Sequence, residues 1–199
     1  PWSFAWSGAT LAILSAHKIG GPKGVGALIV REGVDIDALL LGGGQELGRR
    51  SGTENVAGIA GFGAAAKAAL AELNQDAWAP VEKLRNILEK TLATEAKETI
   101  FVGKELDRLP NTSCFVSPGW KGETQVMQMD LAGYAMSAGS ACSSGKVKES
   151  RVLRALGFDG VTASSAIRVS LGPVTTEQDV IGFAEAWLAH HRRWRARAA

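Results

Sequence analysis

Lys18 occupies a position in this sequence that favours covalent chemistry. It lies in the stretch 15–24, between two short apolar runs, Leu11–Leu14 and Val25–Val30. If these runs form buried strands, a lysine on the glycine-bounded turn between them can be desolvated, which favours the neutral amine and makes it a nucleophile toward a carbonyl. The alternative is a solvated lysine on a surface hairpin, and the turn alone does not decide between the two.

The two cysteines have contrasting surroundings. Cys114 and Cys142 form no C-x-x-C pair, so they predict neither a metal site nor a disulfide framework. Cys114 lies in the apolar stretch 112–116, which predicts a buried structural thiol. Cys142 lies in a run of Ser, Ala and Gly over 137–145, which predicts an exposed, mobile loop whose N–H groups could stabilise a thiolate. The alternative for Cys142 is an incidental exposed cysteine.

Two further stretches could bind anions. Arg168 lies in the alternating stretch 166–171, where it either faces solvent or clamps a carboxylate through its bidentate guanidinium. The stretch 139–146 superficially resembles a phosphate-binding loop. Its spacing is G-x5-G-K, however, and Val147 stands where Ser or Thr should bind magnesium, so we reject that interpretation.

Composition limits the class of protein. The chain has 199 residues, of which 46% are hydrophobic and 21% charged, so it can bury a core and is not disordered. The net charge of +2 is too balanced to favour nucleic acid as a partner. No run reaches the length expected of a membrane span, and no signal peptide opens the chain. We therefore expect a cytoplasmic protein in a reducing compartment, with no membrane partner.

The hydrophobic pattern predicts strands alternating with helices. Trp2, Phe4 and Trp6 recur at period two, which predicts an extended lead-in. The predicted strands after the lead-in are 11–14, 26–30, 112–116, 134–136 and 166–171. The predicted helices are 56–73, 81–92, 123–131, 149–156 and a last one that follows a capping box from Thr175 to Gln178.

This order of elements predicts an α/β or α+β chain with two parts. A glycine-rich stretch with two arginines, 42–55, indicates an ordered functional loop rather than a simple spacer. The long amphipathic helix that starts near Val81 begins the last domain, so the boundary falls between Gly63 and Pro80. We assign residues 1–65 to the first part and residues 66–199 to the second.

Four motifs together resemble those of the cysteine desulfurases, which belong to the class V aminotransferase group of pyridoxal-phosphate enzymes. The motifs are S-A-H-K-I-G-G-P-K-G-V-G-A-L from Ser15, G-G-G-Q-E-L-G-R-R-S-G-T-E-N from Gly42, S-A-G-S-A-C-S-S-G from Ser137 and S-A-I-R-V-S-L-G from Ser165. They occur in the family's order and at similar spacing. The resemblance covers nearly the whole chain and favours the functional interpretation of each residue above.

The resemblance implies a role for six residues. Lys18 would carry pyridoxal 5'-phosphate as a Schiff base, and Ser15 and His17 would bind its phosphate. Thr53 would reach the phosphate bound in the other subunit of a homodimer. Arg168 would hold the carboxylate of the substrate L-cysteine. Cys142 would accept the sulfur as a persulfide and pass it to an iron–sulfur scaffold or another acceptor protein, where it could transiently contact a cluster; no resident metal is implied.

The implied fold is α/β, the C-terminal part of a pyridoxal-phosphate-dependent transferase of fold type I. It comprises the end of the large cofactor domain and a small α+β C-terminal domain that carries the catalytic cysteine loop. Family members have a further segment before this point, which supplies an aspartate to the pyridine nitrogen and a ring-stacking histidine. Only 17 residues precede Lys18. We therefore expect a C-terminal half.

Three alternatives to the desulfurase remain. A selenocysteine lyase and an aminotransferase have the same fold, although an aminotransferase has no need of a mobile thiol such as Cys142. The third is a non-catalytic fragment that binds a partner or pairs with a separate N-terminal chain. Exposed apolar surface would favour that last alternative.

Overall fold

The computed structural model describes residues 2–139 and 149–198. It divides the chain into two compact units, Pro1–Gln75 and Asp76–Ala199, which are described separately below. The division falls directly after a long helix, α2 (Val56–Asn74). A boundary at residue 65 would cut that helix near its middle.

The first unit begins with a helical turn. Helix α1 (Phe4–Ser7) starts after Ser3, whose hydroxyl accepts a hydrogen bond from the Trp6 N–H at 3.3 Å, and ends at Gly8 with φ of 69°. The predicted extended lead-in is therefore wrong, because the serine cap and the glycine stop outweigh the period-two pattern of aromatic residues.

Two antiparallel strands form the centre of the first unit. Strand β1 (Leu11–Ser15) pairs with β2 (Gly26–Val30), in a register that runs from Leu11 opposite Val30 to Ser15 opposite Gly26. The strands lie where the sequence predicts them, but they are not buried: Ile13 is 81% exposed and Leu28 50%. A sheet of two strands leaves its apolar side chains exposed unless another layer covers it.

Helix α2 starts at a cap made by Asn55, which accepts a hydrogen bond from the Gly58 N–H at 3.0 Å. It confirms the helix predicted over 56–73 and is rich in Ala and Gly. Its 19 residues and mean hydropathy of 1.4 are enough to cross a membrane by length and composition, so the expectation that no run reaches this length is wrong. One such helix does not establish a membrane protein, because core helices of soluble proteins pass the same test.

The second unit contains a four-stranded antiparallel sheet in the described part of the chain. Its order is β3-β4-β6-β5, from β3 (Ile100–Phe101), β4 (Thr112–Val116), β6 (Ala166–Ser170) and β5 (Ser137–Ala138). The predicted strands 112–116 and 166–171 are confirmed, whereas β3 was not predicted.

The strand predicted over 134–136 lies instead at β5. The Tyr134 N–H donates to the Met129 carbonyl at 2.9 Å, and Gly133 has a φ of 87°. These residues therefore form the end of the preceding helix, as glycine in the left-handed region commonly does.

Five helices complete the second unit in the described residues: α3 (Ala79–Glu95), α4 (Gly122–Leu131), α5 (Arg151–Ala155), α6 (Gly160–Ser164) and α7 (Glu177–Ala198). The capping box of α7 is one residue later than predicted. The Asp179 N–H donates to the Thr176 hydroxyl at 3.2 Å, and the Thr176 N–H donates to the Asp179 carboxylate at 2.8 Å. The short helix α6, capped by Asp159, was not predicted.

One face of this sheet forms the main core. Phe115 and Ile167 pack there with residues of α3 and α7, among them Leu88, Leu92 and Trp187, all 1% exposed or less. Gln125 is fully buried within this core and satisfied. Its amide donates to the carbonyls of Trp120 and Ser165, and its oxygen accepts from the Trp187 indole at 3.0 Å.

Aromatic rings extend this core along α7. Trp187 stacks on His191 with the ring centroids 4.9 Å apart, and Trp120 stacks on Trp194 at 5.7 Å with an interplanar angle of 11°. Trp120 also contacts Trp187 at 5.3 Å. The three tryptophans, Trp120, Trp187 and Trp194, are called the indole cluster below, and His191 packs against them.

The opposite face of the sheet is covered at one end only. Val116 and Ala166, paired across β4 and β6, are buried with Leu153 of α5 and Ala163 of α6. Further along the same face, the side chains become half-buried or exposed. These residues are Thr112, Cys114, Arg168 and Ser170.

Candidate active site

The turn that carries Lys18 is a short 3-10 helix at the end of the β1–β2 hairpin. It covers Ala16–Ile19 and ends at Gly20, which has a φ of 84°. The Ala16 N–H donates to the Val25 carbonyl at 3.1 Å, which continues the strand pairing by one bond into the turn. The turn is therefore held by the two strands that the sequence predicts on either side of it.

Ala16 fixes the direction in which its neighbours point. It is fully buried, whereas His17 and Lys18 are exposed and Ser15 is half-buried. A Cβ on Gly21 would lie 3.0 Å from both the Cβ and the carbonyl oxygen of Ala16, so only glycine fits against this alanine without displacing it. The packed alanine leaves the three polar side chains around it on the surface.

Helix α2 packs against the connection that carries Lys18. A Cβ on Gly61 would lie 2.6 Å from Cγ of Pro22, so the proline ring rests on the bare backbone of the helix. This contact was not predicted at the level of residues, although the small side chains of α2 indicate a helix that can approach its neighbours closely. Pro22 and Gly61 therefore help to hold the turn that carries Lys18.

The polar side chains of the turn are available for a ligand. Within the described residues, no hydrogen bond or ion pair engages the side chains of Ser15, His17 and Lys18. Ser15 and His17 line an open depression of about 500 Å³ on the hairpin. A hydroxyl and an imidazole can donate hydrogen bonds to a phosphate, and a lysine amine can condense with an aldehyde. This donor set fits pyridoxal phosphate, which carries both groups.

The glycine-rich loop before α2 is internally bonded. The Ser51 N–H and hydroxyl donate to the carbonyls of Leu40 and Leu41, at 3.0 and 3.1 Å. The Arg50 guanidinium lies 3.3 Å from the Glu46 carboxylate and also donates to the Gly52 carbonyl. These bonds leave Thr53 exposed. An internally bonded loop agrees with the prediction that 42–55 is ordered rather than a simple spacer, and the role of Thr53 stays a prediction.

Arg168 lies in the second unit, on the partly open face of the sheet. It is exposed on β6, directly opposite Cys114 on β4 and Ser137 on β5. In the described part of the chain, no carboxylate forms an ion pair with it. An exposed arginine without an ion pair among the described residues agrees with both interpretations of its sequence position, a solvent-facing side chain and a carboxylate clamp.

The two cysteines have different outcomes. Cys142 lies outside the described residues, so its predicted role stays a prediction. Cys114 is half-buried rather than buried, because its side chain is on the open part of the sheet face. Partial burial raises the pKa of the Cys114 thiol, and the nearby Arg168 charge lowers it by less.

The structure thus places Ser15 at the end of β1, His17 and Lys18 on the turn that follows it, and Thr53 on a second loop of the same unit. Arg168 belongs to the second unit. Sequence reasoning missed Gly61 and Pro22 as supports of the turn, and it missed Cys114 and Ser137 as neighbours of Arg168. The alternation of the strands predicted which face each residue is on, but not which strands are paired.

Comparison with known proteins identifies the family. The family model "Aminotransferase class-V" matches residues 3–183. The chain is 44% identical over 167 residues to a cysteine desulfurase of Cereibacter sphaeroides, covering 84% of this chain and 42% of that protein. It is 41% identical over 180 residues to a cysteine desulfurase of Trichormus azollae, covering 90% and 45%.

Solved structures agree with this assignment of the fold. A NifS-like protein from Rickettsia africae matches with a TM-score of 0.85 and 33% identity, over 96% of this chain and 50% of that one. The chain spans about half the length of the relatives that it matches. The α/β fold of these neighbours agrees with the predicted fold class. With a family model that covers most of its length, this chain belongs to the class V aminotransferases.

Proposed function

We propose that the chain acts in a cysteine desulfurase, which converts L-cysteine to L-alanine and transfers the sulfur to Cys142 as a persulfide. One observation carries the proposal. A hairpin turn presents a lysine, a histidine and a serine that are unpartnered in the described structure, in a chain 40–44% identical to proteins named cysteine desulfurase. The cofactor of the proposed reaction is pyridoxal 5'-phosphate.

The residues of this chain would divide the work as follows. Ser15 and His17 hold the phosphate, and the Lys18 amine holds the aldehyde carbon and, once released, moves the proton at Cα of the substrate. Arg168 binds the α-carboxylate through its two parallel N–H donors. When bound, pyridoxal phosphate supplies an electron sink for the negative charge that develops at Cα.

Sulfur transfer is a nucleophilic attack by the Cys142 thiolate on the substrate sulfur. An S–S bond forms and the Cβ–S bond of the substrate breaks, and its electron pair stays with the substrate carbon, which then takes up a proton. L-Alanine leaves and Cys142 carries the persulfide. No outside oxidant or reductant is needed, because the transferred sulfur is oxidised from the thiol to the persulfide level while Cβ of the substrate, which keeps the electron pair and becomes a methyl carbon, is reduced by the same two electrons.

Reductive trapping tests the first half of this proposal without requiring turnover. The chain is incubated with pyridoxal phosphate, treated with borohydride and digested, and the modified peptide is identified by mass spectrometry. We expect modification at Lys18, and its loss in Lys18→Ala. Lys23→Ala is the matched control, because Lys23 is an exposed lysine of the same connection between β1 and β2. Modification spread equally over Lys18 and Lys23 would contradict the assignment.

Turnover tests the second half. In Cys142→Ala we expect production of alanine from L-cysteine to fall by about a thousandfold or more, as for removal of a nucleophile, while trapping at Lys18 is retained. Because the chain spans about half of its relatives, the assay is run with the chain alone and within a full-length protein. Full activity of Cys142→Ala would refute the role of that cysteine.

The same proposal includes partners and a compartment. The persulfide passes to an iron–sulfur scaffold or another acceptor protein, and the enzyme is a cytoplasmic homodimer in which Thr53 reaches the phosphate of the other subunit. Mixed dimers of Lys18→Ala and Thr53→Ala protomers test this arrangement, because one of the two sites in each such dimer keeps both residues. Partial recovery of activity on mixing is expected, and no recovery would contradict the shared site.

A second candidate is a chain that functions only with a separate partner chain. The observation that favours it is the exposed apolar surface of the first unit, where Leu39 is 94% exposed, Leu41 83% and Ile13 81%. Sedimentation at several concentrations, which gives the oligomeric state, is combined with reductive trapping at Lys18 to distinguish the two candidates. A monomer that fails to trap the cofactor at Lys18 until a second polypeptide is added would favour the partner-dependent form.

A further inference from the structure

Arg168 has two neighbours whose positions are fixed by the sheet. In antiparallel strands, directly opposed residues point to the same face, with their Cβ atoms about 4.5–5.5 Å apart. Cys114 of β4 and Ser137 of β5 are both opposed to Arg168 of β6, one on each side. The arginine stem therefore rises from the sheet between a thiol and a hydroxyl.

The sheet face that carries this trio is covered on one side of it and open on the other. Toward Val116 and Ala166, the same face is covered by α5 and α6. Toward the other end, the paired residues Thr112 and Ser170 are small and polar, half-buried and exposed respectively. Arg168 thus has an apolar, covered region of the face on one side and small polar side chains around it and on the other side.

Cys114 lies beside the Arg168 guanidinium without neutralising its charge. Partial burial raises the pKa of its thiol above the ordinary value, although the Arg168 charge opposes this, so at neutral pH the side chain stays protonated. An aspartate at the same register position would form an internal ion pair with Arg168 and occupy the donors that a ligand carboxylate needs. A neutral, compact side chain leaves those donors free.

We propose that Cys114 and Ser137 are positioning residues that flank Arg168 and keep its guanidinium free for a small carboxylate ligand. This inference rests on the proposed function for the role of Arg168 as the carboxylate-binding group. It adds two residues that the four sequence motifs do not assign to this task, and it makes Cys114 a part of the carboxylate site rather than a structural thiol.

Alkylation of Cys114 tests the proposal without cofactor or turnover. The full chain with Cys142→Ala retains Cys114 as its one thiol. Its rate of alkylation is measured with iodoacetate and with iodoacetamide, reagents of nearly equal size of which only the first carries a carboxylate. In each reaction the sulfur forms a bond to carbon and iodide leaves. The quantity compared is the ratio of the two rates in the folded chain and in the urea-unfolded chain at the same pH.

We expect the iodoacetate-to-iodoacetamide ratio to be at least about fivefold higher in the folded chain, as attraction by a neighbouring charge at a protein surface allows. Arg168→Gln in the Cys142→Ala background should remove this preference, and added salt should weaken it. Arg151→Gln is the matched control, because Arg151 is an exposed arginine of the same unit on α5. That control should keep the preference.

Three results would overturn the proposal: the same ratio in folded and unfolded chains, a preference that survives Arg168→Gln, or a folded thiol that neither reagent reaches.

A second measurement tests binding of the carboxylate ligand itself. In an active, full-length enzyme with Cys142 intact, Cys114→Asp should raise KM for L-cysteine about tenfold or more with a smaller change in kcat, and Cys114→Ser should restore KM. Equal effects of Asp and Ser would also overturn it. Because alkylation needs no turnover, its failure is distinguishable from failure of the desulfurase assignment.

Discussion

Burial and neighbouring charges have opposite effects on the pKa of the Glu89 carboxyl. Glu89 is 3% exposed on α3, accepts two hydrogen bonds at 2.7 Å from the Arg108 guanidinium, and accepts another at 2.6 Å from the Ser113 hydroxyl. Burial by itself raises the pKa of the Glu89 carboxyl. The hydrogen bonds and the charges of Arg108 and Arg85 outweigh it, so the pKa is lowered from 4.5.

A lowered pKa makes the contribution of Glu89 to stability depend on pH. The folded chain holds this carboxylate ionised where the unfolded chain would protonate it, so its contribution is complete above about pH 4.5 and is lost as the pH falls through the lower folded value. We expect Glu89→Gln to lower the free energy of unfolding at pH 7 by about 2–4 kcal/mol, because Arg108 loses a buried partner. Urea denaturation measures the change.

The control for Glu89 is on the same helix. Glu95 is exposed, so Glu95→Gln should change the free energy of unfolding by less than about 0.5 kcal/mol. The difference between wild type and Glu89→Gln should shrink as the pH is lowered below 4.5. A difference that is constant from pH 7 to pH 3 would show that the ionised carboxylate is not the source of the effect.

At the scale of elements, the contact of the Lys18 turn with α2 depends on a glycine. Gly61→Ala would place a Cβ 2.6 Å from Cγ of Pro22, inside the contact distance. Overpacking of this kind costs about 1–3 kcal/mol, against a gain of at most about 1 kcal/mol from replacing glycine by alanine in a helix. We therefore expect Gly61→Ala to destabilise the first unit and to reduce trapping of pyridoxal phosphate at Lys18.

Gly63 provides the matched control for that substitution. It lies two residues further along α2, is exposed, and an added Cβ would have no atom within 4 Å. Gly63→Ala should stabilise the helix by up to about 1 kcal/mol and leave cofactor trapping unchanged. If both substitutions raise the free energy of unfolding equally, Pro22 does not rest on the helix.

The sequence predicted elements better than it predicted their surroundings. The bounds of β2, β4 and α2 match to within a residue, because local periodicity and caps determine them. Burial of β1 and β2 was predicted wrongly, since a run of apolar residues carries no information about whether another layer covers it. Residues 134–136 were wrongly predicted as a strand. They follow the glycine that ends α4, and the Tyr134 N–H bonds back to the Met129 carbonyl, a contact that the apolar pattern of the sequence does not reveal.

The candidate site was predictable to the same extent. The motif around Lys18 is local, so Ser15, His17 and Lys18 could be grouped before the turn was seen. The neighbours of Arg168 could not, because Cys114 is 54 positions away in sequence and only strand pairing makes them adjacent. Pairing between distant strands depends on the packing of the whole unit and leaves no local signature.

At the scale of the whole molecule, the two units should differ in stability. The second has a core of residues 1% exposed or less, such as Phe115 and Trp187, whereas the β1–β2 sheet of the first is largely exposed. Opening is easiest where few apolar groups are buried. We expect amide hydrogens of β1 and β2 to exchange about a hundredfold faster than those of β4 and β6, as hydrogen exchange with mass spectrometry would measure. Equal protection of the two sheets in this chain would contradict the division into unequal units.

The indole cluster should give the second unit a circular-dichroism signal that the first unit lacks. Trp120 and Trp194 lie 5.7 Å apart in nearly parallel planes, so their electronic transitions couple and produce a pair of circular-dichroism bands of opposite sign. Trp2 and Trp6 of the first unit are 58% and 85% exposed and have no indole partner among the described residues. The coupled circular-dichroism signal therefore reports the second unit alone. Its loss during denaturation measures the unfolding of that unit without any added label.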